Sequence, residues 1–206
     1  MRNIETARKK FQKAENIFRL NNGLLRTSEA LRLGVASGTL YAMRDSGVIV
    51  QVNRGLYRLA EAQPPGSPDL VQVALLVPKA VICLISALAF HDLTTQIPHR
   101  VYIALPRRSQ RPRLDYPALE VIWLPNAAYK AGVEEHILDG VPVSIYSREK
   151  TLADCFRYED RVGKDVILEV IKEYKRQGKV DVTAIMNFSR IDRVAKKILP
   201  YLEAIL

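Results

Sequence analysis

Residues 24–59 decide the fold, and they read LLRTSEALRLGV (24–35), ASGTLYAMRDSG (36–47) and VIVQVNRGLYRL (48–59). Gly34 and Gly47 lie near the ends of the first two segments, and glycine adopts the left-handed conformation that commonly follows a helix end. A hydroxyl at Thr27 or Ser28, and another at Ser37, can cap a helix because it accepts hydrogen bonds from unpaired backbone amides. The pattern predicts two short helices joined by a tight turn.

The spacing of apolar residues sets the orientation of the second helix. Leu40 and Met43 are three residues apart, so they share a face, which we expect to join Leu31, Leu33 and Val35 in a small core. The opposite face then carries Thr39, Tyr41, Ala42 and Arg44.

The period changes after Gly47. Val48, Val50 and Val52 alternate with other residues, which is typical of a strand. The tripeptide 53–55, Asn-Arg-Gly, predicts a glycine-containing turn, and residues 56–59 return as a second strand. Two helices followed by a hairpin predict a winged helix-turn-helix, a unit that places its second helix in the major groove of DNA.

Polar and basic side chains on this unit are the predicted DNA contacts. They are Arg26, Thr27, Ser37, Thr39, Tyr41, Arg44, Asn53, Arg54, Tyr57 and Arg58. The same fold also serves as a protein-docking module, so docking of a protein partner stays open as the alternative. The basic side chains favour DNA.

The charge distribution supports an anionic partner. The chain has 206 residues, of which 48% are hydrophobic and 26% charged, and its net charge is +9. Residues 1–62 contain 11 Lys and Arg against 5 Asp and Glu, hence +6, whereas residues 63–206 contain 20 against 17, hence +3. The excess of positive charge therefore lies mainly on the proposed DNA-binding part.

The chain is expected to be cytoplasmic. Cys83 and Cys155 lie in apolar surroundings and are predicted to be buried free thiols. The first residues lead into charged positions rather than an apolar core, so we expect no signal peptide. Residues 71–88 are apolar-rich, but they contain a proline, a lysine and other polar residues, which makes them a poor membrane span.

Two domains are predicted. A helix over residues 4–20 has an apolar stripe at Ile4, Ala7, Phe11, Ala14 and Phe18, and its later part, with Ile17 and Leu20, should pack on the helix-turn-helix. Its first ten residues overhang, and a dimer contact there remains the alternative to packing within the chain. Residues 61–68 contain three prolines and a glycine, so we divide the chain into 1–62, a linker at 63–68, and 69–206.

The second domain is predicted to be α/β (α+β). Helices are expected at 69–77, 84–93, 148–161 and 164–177, strands at 100–105 and 119–124, and a hairpin at 134–138 and 141–146. Ser147, Asp181 and Ser189 are candidate helix caps. Arg107, Arg108, Arg111 and Arg113 form a basic loop, which could be solvated or could make a second phosphate contact.

The catalytic patterns that we considered in this sequence are each incomplete. Ser86 and His91 are five residues apart on one predicted helix, so they point in different directions, and no strand-to-helix elbow precedes Ser86. Asp115 with Glu120 resembles part of a nuclease pattern, but an isoleucine stands where the lysine is needed. The histidines lack zinc-ligand spacing. We therefore expect no enzyme activity, no metal and no cofactor.

Lys150 and Asp154 are four residues apart on a predicted helix and can form an ion pair. We expect a solvated or semi-buried pair on a packed helix. A direct role in the function of the second domain is the alternative.

The chain resembles antitoxins of the abortive-infection type IV toxin–antitoxin family, AbiEi, over nearly its whole length after residue 14. The matching segments are Leu25-Arg26-Thr27, Leu33-Gly34-Val35, Thr39-Leu40-Tyr41, residues 53–59 (NRGLYRL), residues 84–98 (LISALAFHDLTTQIP), Arg111-Pro112-Arg113, residues 150–156 (KTLADCF), Gly163 and Asp165-Val166. The resemblance implies an amino-terminal winged helix that represses its own operon at an operator, expected to be inverted repeats. It implies a second domain that counters a nucleotidyltransferase-like toxin without a stable complex. The chain is expected to be a monomer, or a dimer on DNA.

Overall fold

Contacts within the chain separate it into two compact units, Met1–Pro68 and Asp69–Leu206. The computed structural model describes residues 2–62, 66–178 and 180–205. The fold is mixed α/β, as predicted. Unit 1 contains α1 (Arg2–Leu20), β1 (Leu24–Arg26), α2 (Thr27–Arg32), α3 (Ser37–Asp45), β2 (Ile49–Asn53) and β3 (Leu56–Leu59).

Unit 1 has a winged helix-turn-helix architecture. Its antiparallel sheet has the order β1-β3-β2, so β3 is the central strand. The two glycines end the helices as predicted. Gly34 has φ +95°, and the Val35 N–H donates to the Ala30 carbonyl at 2.9 Å. Gly47 has φ +74°, and the Val48 N–H donates to the Met43 carbonyl at 2.9 Å, so both turns use the backbone conformation that glycine tolerates.

The core of unit 1 confirms the predicted orientation of α3. Leu40 and Met43 are fully buried, with Phe18 of α1 and Val35 beside them. Leu31, Leu33 and Leu20 were expected in this core, but they are 43%, 41% and 86% exposed. The prediction was wrong for α2 because that helix has only six residues, and Ala30 is the one it buries.

The predicted helix caps in unit 1 were also wrong. Strand β1 runs directly into α2, so Arg26 is the N-cap residue and its N–H donates to the Glu29 carboxylate at 3.1 Å. Thr27 and Ser28 are already inside the helix. Ala36 takes the N-cap position of α3, which places Ser37 as its first helical residue.

Unit 2 surrounds a five-stranded mixed sheet. Its elements are α4 (Pro68–Leu76), β4 (Val81–Ile82), α5 (Leu84–Phe90), β5 (Val101–Pro106), β6 (Leu119–Leu124), α6 (Asn126–Lys130), β7 (Val133–Leu138), β8 (Val141–Tyr146), α7 (Arg148–Arg157), α8 (Glu159–Val162), α9 (Lys164–Arg176), α10 (Val182–Ile191) and α11 (Ala195–Ile205). The sheet order is β6-β5-β4-β8-β7. β5 runs parallel to β6, and β4 runs antiparallel to β5.

Each face of this sheet is covered by a separate apolar cluster. Ala104 and Ile122 lie in a cluster with α5, α7 and α9, and Ile103 and Val121 lie in a second cluster with α4. The alternation of neighbouring residues along β5 and β6 between the two clusters is what a two-sided sheet requires. Cys83 and Cys155 are buried free thiols, as expected.

Two of the three helix caps predicted in unit 2 are confirmed. Ser147 accepts from the Lys150 N–H, and Asp181 accepts from the Ala184 N–H at 2.8 Å. The prediction that Ser189 begins a helix was wrong, because it is a fully buried residue inside α10. The helix expected at 148–161 is interrupted at Tyr158. Within the described ranges, no helix combines the length and apolarity that crossing a membrane requires.

Candidate nucleic-acid interface

The outer face of α3 presents the side chains expected to read DNA. Tyr41 is 44% exposed, Arg44 is also exposed, and Thr39 is half-buried. The Arg44 guanidinium carbon lies 5.2 Å from the centroid of the Tyr41 ring. Because the buried Leu40 and Met43 fix the rotation of the helix, the three polar side chains are held on the surface of unit 1.

Arg44 already has a partner on its own helix. Its Nε and Nη2 donate to the Asp45 Oδ1 at 2.9 and 2.7 Å. This bond and the carboxylate charge raise the pKa of Arg44. Before Arg44 can bind a base or a phosphate, its guanidinium must share or release Asp45, so Asp45 weakens the attraction of this face for an anion.

The wing is a two-residue turn fixed to the start of α2. Asn53 pairs with Leu56 across the hairpin, so Arg54 and Gly55 form the tip. The Asn53 Oδ1 accepts from the Arg54 N–H at 2.7 Å. Thr27 donates to the Gly55 carbonyl from its backbone N–H at 2.8 Å and from its hydroxyl at 3.3 Å. Thr27 therefore positions the wing, and the exposed Arg54 projects from a fixed turn.

Three predicted contacts lie in other surroundings. Tyr57 is only 4% exposed and belongs to the core of unit 1. Arg58 lies on the central strand β3, opposite Leu24 and Val50, and its Nη1 donates to the Ala62 carbonyl. Arg26 is half-buried at the junction of β1 and α2. These three side chains are therefore less exposed than Arg54 at the tip of the wing.

Lys10 and Lys13 were missed as candidate contacts. With Ile17 and Thr39 they line a groove of about 200 Å³ between α1 and the turn before α3. Their spacing of three residues on a predicted helix was the available signal. The groove brings two lysines to the amino-terminal side of α3.

The basic loop of unit 2 borders a larger cleft. Arg107, Arg108, Arg111 and Arg113 are all exposed. Arg111 and Arg113 line a cleft of about 810 Å³, whereas Arg107 and Arg108 lie outside its lining.

Lys150 and Asp154 are buried, contrary to the expected solvated or semi-buried pair. Lys150 Nζ lies 2.5 Å from the Asp154 Oδ1 and 2.8 Å from the Asp192 Oδ2, and Arg157 Nη1 lies 3.3 Å from the Asp192 Oδ1. Lys150 is 0% exposed and Asp154 is 1% exposed. Burial raises the pKa of Asp154 to about 7, against the lowering influence of Lys150. Neither side chain reaches the surface, so both support the fold of unit 2.

The residues considered for catalysis are bonded to backbone groups. The Ser86 hydroxyl accepts from the Tyr102 N–H at 3.0 Å, and the His91 Nε2 lies 2.8 Å from the Tyr146 carbonyl. Burial lowers the pKa of His91. Among the described residues, no three His, Cys, Asp or Glu side chains are placed to hold a metal ion.

Comparison with known proteins found a family-model match for the amino-terminal part of the chain. No curated protein matches it. A protein-family model described as "Transcriptional regulator, AbiEi antitoxin" matches residues 12–60. These residues extend from α1 to the end of the hairpin, and they include α3 and the wing. The match over residues 12–60 is consistent with the AbiEi-like antitoxin resemblance drawn from the sequence.

Proposed function

We propose that this protein represses transcription by binding double-stranded DNA through unit 1. α3 enters the major groove, where Tyr41, Arg44 and Thr39 contact base edges. Arg54 at the wing contacts the phosphate backbone. The operator consists of inverted repeats, each bound by one copy of unit 1.

The observation that carries this proposal is the division of α3 into two faces. One face, with Leu40 and Met43, is fully buried, and the opposite face presents Tyr41 and Arg44 to solvent. A recognition helix needs this arrangement, because core packing on one side holds the other side rigidly toward the groove. Thr27, the first residue of α2, bonds to Gly55 and so holds the wing in place. A fixed wing supports a defined contact between Arg54 and the DNA backbone.

Electrostatics support the same partner. Residues 1–62 carry a net charge of +6, and Lys10 and Lys13 add two cations beside Thr39. Phosphate contacts position a protein on DNA, whereas base contacts specify the sequence. We assign Arg54, Lys10 and Lys13 to phosphates and the outer face of α3 to bases. Arg107 and Arg108 of unit 2 are exposed outside the cleft and are assigned to a second phosphate contact.

Salt-dependent DNA binding tests the proposal. The full chain is titrated onto a fluorescent duplex carrying the DNA upstream of its own gene, at several salt concentrations. We expect Arg54→Ala to weaken binding to every duplex alike. The slope of the logarithm of the binding constant against the logarithm of the salt concentration should become less steep by about one. Arg176→Ala is the matched control, because Arg176 is an exposed arginine of unit 2 paired with Glu173 at 2.7 Å. Binding that is absent, or insensitive to salt, would support the protein-docking alternative.

One observation favours the alternative that unit 1 docks a protein partner. Leu31 and Leu33 are exposed on unit 1 near the turn between α2 and α3. A contiguous patch of exposed apolar side chains can mark a site of protein contact, and Leu31 and Leu33 would contribute to such a patch. If unit 1 docks a protein instead of DNA, Leu31→Ser should abolish the association of unit 1 with that protein. Arg54→Ala should then leave the association unchanged.

We also propose that unit 2 provides an antitoxin function against a nucleotidyltransferase-like toxin without forming a stable complex. The family model whose description names an antitoxin matches residues 12–60, in unit 1. The assignment of this function to unit 2 rests on its own family-like segments, residues 84–98 and 150–156. Cells that express the product of a neighbouring toxin gene should grow when the full chain is present and fail to grow with residues 1–62 alone. Growth with residues 1–62 alone would remove unit 2 from this role.

A further inference from the structure

A cleft of unit 2, lined by residues 76–79, Leu105 and residues 109–113, has the size and charge of a binding site. It measures about 810 Å³, within the range of about 300–1,000 Å³ that small-ligand sites occupy. Its lining combines apolar residues, Leu76, Val77 and Leu105 among them, with the cations Lys79, Arg111 and Arg113. The described lining contains no acidic side chain.

The cleft lies at a position in the sheet where ligands commonly bind. β5 and β6 are parallel, so their carboxyl ends meet at one edge, where Leu105 and Trp123 are paired in register. Because β4 is antiparallel to β5, Lys79 approaches the same edge through the turn before β4. Ligands of α/β sheets bind outside the carboxyl ends of parallel strands.

The three cations lack carboxylate partners among the described residues. Other arginines of unit 2 do have such partners, for example Arg161 with Glu120 and Arg176 with Glu173. Arg111 donates one bond, from Nη2 to the Leu119 carbonyl at 3.3 Å, and a guanidinium has five N–H donors. Lys79, Arg111 and Arg113 therefore leave positive charge and donors available for an anionic ligand.

The wall of the cleft is held in place by bonds to the sheet. The Arg107 N–H donates to the Leu124 carbonyl at 2.8 Å, and the Trp123 Nε1–H donates to the Ser109 carbonyl at 3.0 Å. The Tyr129 hydroxyl donates to the Lys79 carbonyl at 2.7 Å. Trp123 is 38% exposed. It lies outside the lining itself, but it is bonded to Ser109 and paired in register with Leu105, and both of these residues line the cleft.

We propose that this cleft binds a nucleoside phosphate, with the phosphate on Lys79, Arg111 and Arg113 and the base against Trp123. A basic groove with an aromatic side chain is the arrangement that recognises unpaired nucleotides. A concave cleft of this volume accommodates one or two nucleotides rather than the convex surface of a duplex. The nucleotide is either free or the end of a single strand, and both sources share this chemistry.

The single tryptophan of the chain provides the readout. The full-length protein is titrated separately with guanosine triphosphate, adenosine triphosphate, a single-stranded hexanucleotide and inorganic triphosphate, while Trp123 fluorescence is followed. We expect saturable quenching by a nucleotide or by the single strand, and their relative affinities identify the source. Inorganic triphosphate should bind about fivefold or more weakly, because stacking on an aromatic residue contributes that much or more.

Variants separate this site from the DNA-binding surface. Lys79→Ala and Arg113→Ala should each weaken nucleotide binding about tenfold, whereas the control Arg176→Ala should not. Both cleft variants should keep the duplex affinity of the wild type, and Arg54→Ala should keep nucleotide binding. The failure of this proposal is therefore distinguishable from the failure of DNA repression.

Three results would overturn the proposal. One is the absence of saturable binding by any nucleotide or single strand. Another is wild-type nucleotide affinity in both cleft variants. The third is inorganic triphosphate binding as tightly as the nucleotides, which would leave the base and Trp123 without a role.

Discussion

Replacing Lys150 by methionine perturbs the most deeply buried charge of unit 2. Its ammonium lies between the carboxylates of Asp154 and Asp192, and all three side chains are almost fully buried. Although burial disfavours the charge, the two carboxylates raise the pKa of Lys150. Lys150→Met fills a similar volume and removes only the charge and its hydrogen bonds.

The expected loss of folding stability in Lys150→Met depends on which carboxylate is left without a partner. Asp192 keeps Arg157 at 3.3 Å, but Asp154 loses its partner, and its Oδ2 has no hydrogen bond in the described structure. Removing one partner of a buried ion pair costs about 3–5 kcal/mol. Asp154 can escape part of this cost by binding a proton, so the loss of stability should grow by about 1.4 kcal/mol for each pH unit above 7.

Urea unfolding monitored by Trp123 fluorescence measures this cost, because Trp123 is the only tryptophan and lies in unit 2. With a slope of about 2 kcal/mol per molar urea, the midpoint should fall by about 1.5–2.5 M at pH 8. Arg176→Met is the control, since Arg176 is paired with Glu173 at the surface. An exposed pair of that kind contributes at most about 1 kcal/mol.

A double variant shows whether the charge itself is responsible. Lys150→Met with Asp154→Leu removes both members of the pair and leaves Asp192 with Arg157. Replacing a buried ion pair by apolar side chains is often neutral, so the double variant should recover most of the lost stability. A loss of less than about 1 kcal/mol for Lys150→Met at pH 8, or a further loss on adding Asp154→Leu, would contradict a stabilising buried ion pair.

Three further outcomes are expected. Gly132→Ala should destabilise unit 2 by about 2–4 kcal/mol, because Gly132 has φ +69° and an added Cβ would lie 2.6 Å from the Lys150 Cβ; an unchanged urea midpoint would contradict this. Leu40→Ala should destabilise unit 1 by about 2–5 kcal/mol, which faster hydrogen exchange in residues 14–59 would show. A fall in the urea midpoint measured by Trp123 fluorescence would contradict independent folding of the two units. Burial raises the pKa of Asp154 to about 7, so the folded state keeps a proton that the unfolded chain loses near about pH 4. Stability should therefore fall as pH rises from about 4 to 7, and it should fall less in Asp154→Asn; parallel curves for the two proteins would contradict the raised pKa.

Local signals were sufficient for the parts of unit 1 that depend on neighbouring residues. Gly34 and Gly47 were correctly placed at helix ends, because positive φ is a property of the residue and its immediate backbone. The orientation of α3 followed from Leu40 and Met43, whose spacing requires only a regular helix. The tip of the wing followed from the glycine at position 55.

Long-range pairing explains what the sequence did not reveal. β1 has three residues and was not predicted as a strand, yet its pairing with β3 moves Arg58 from an edge strand to the centre of the sheet. The Lys150–Asp154 spacing was visible along one helix, but Asp192 is 42 residues from Lys150 and comes close only in the folded chain. β4 has two residues, too few for a recognisable alternation.

Competition binding of Arg44→Ala measures whether α3 reads the bases of the operator. Wild type, Arg44→Ala and Arg176→Ala are bound to the upstream duplex and competed with the same duplex or with a scrambled one. We expect Arg44→Ala to lose about 1–3 kcal/mol of binding free energy on the upstream duplex and little on the scrambled one. The variant should therefore prefer the upstream duplex less strongly than the wild type does. An equal loss on both duplexes would make Arg44 a phosphate anchor, and no loss on either would contradict α3 as the recognition helix.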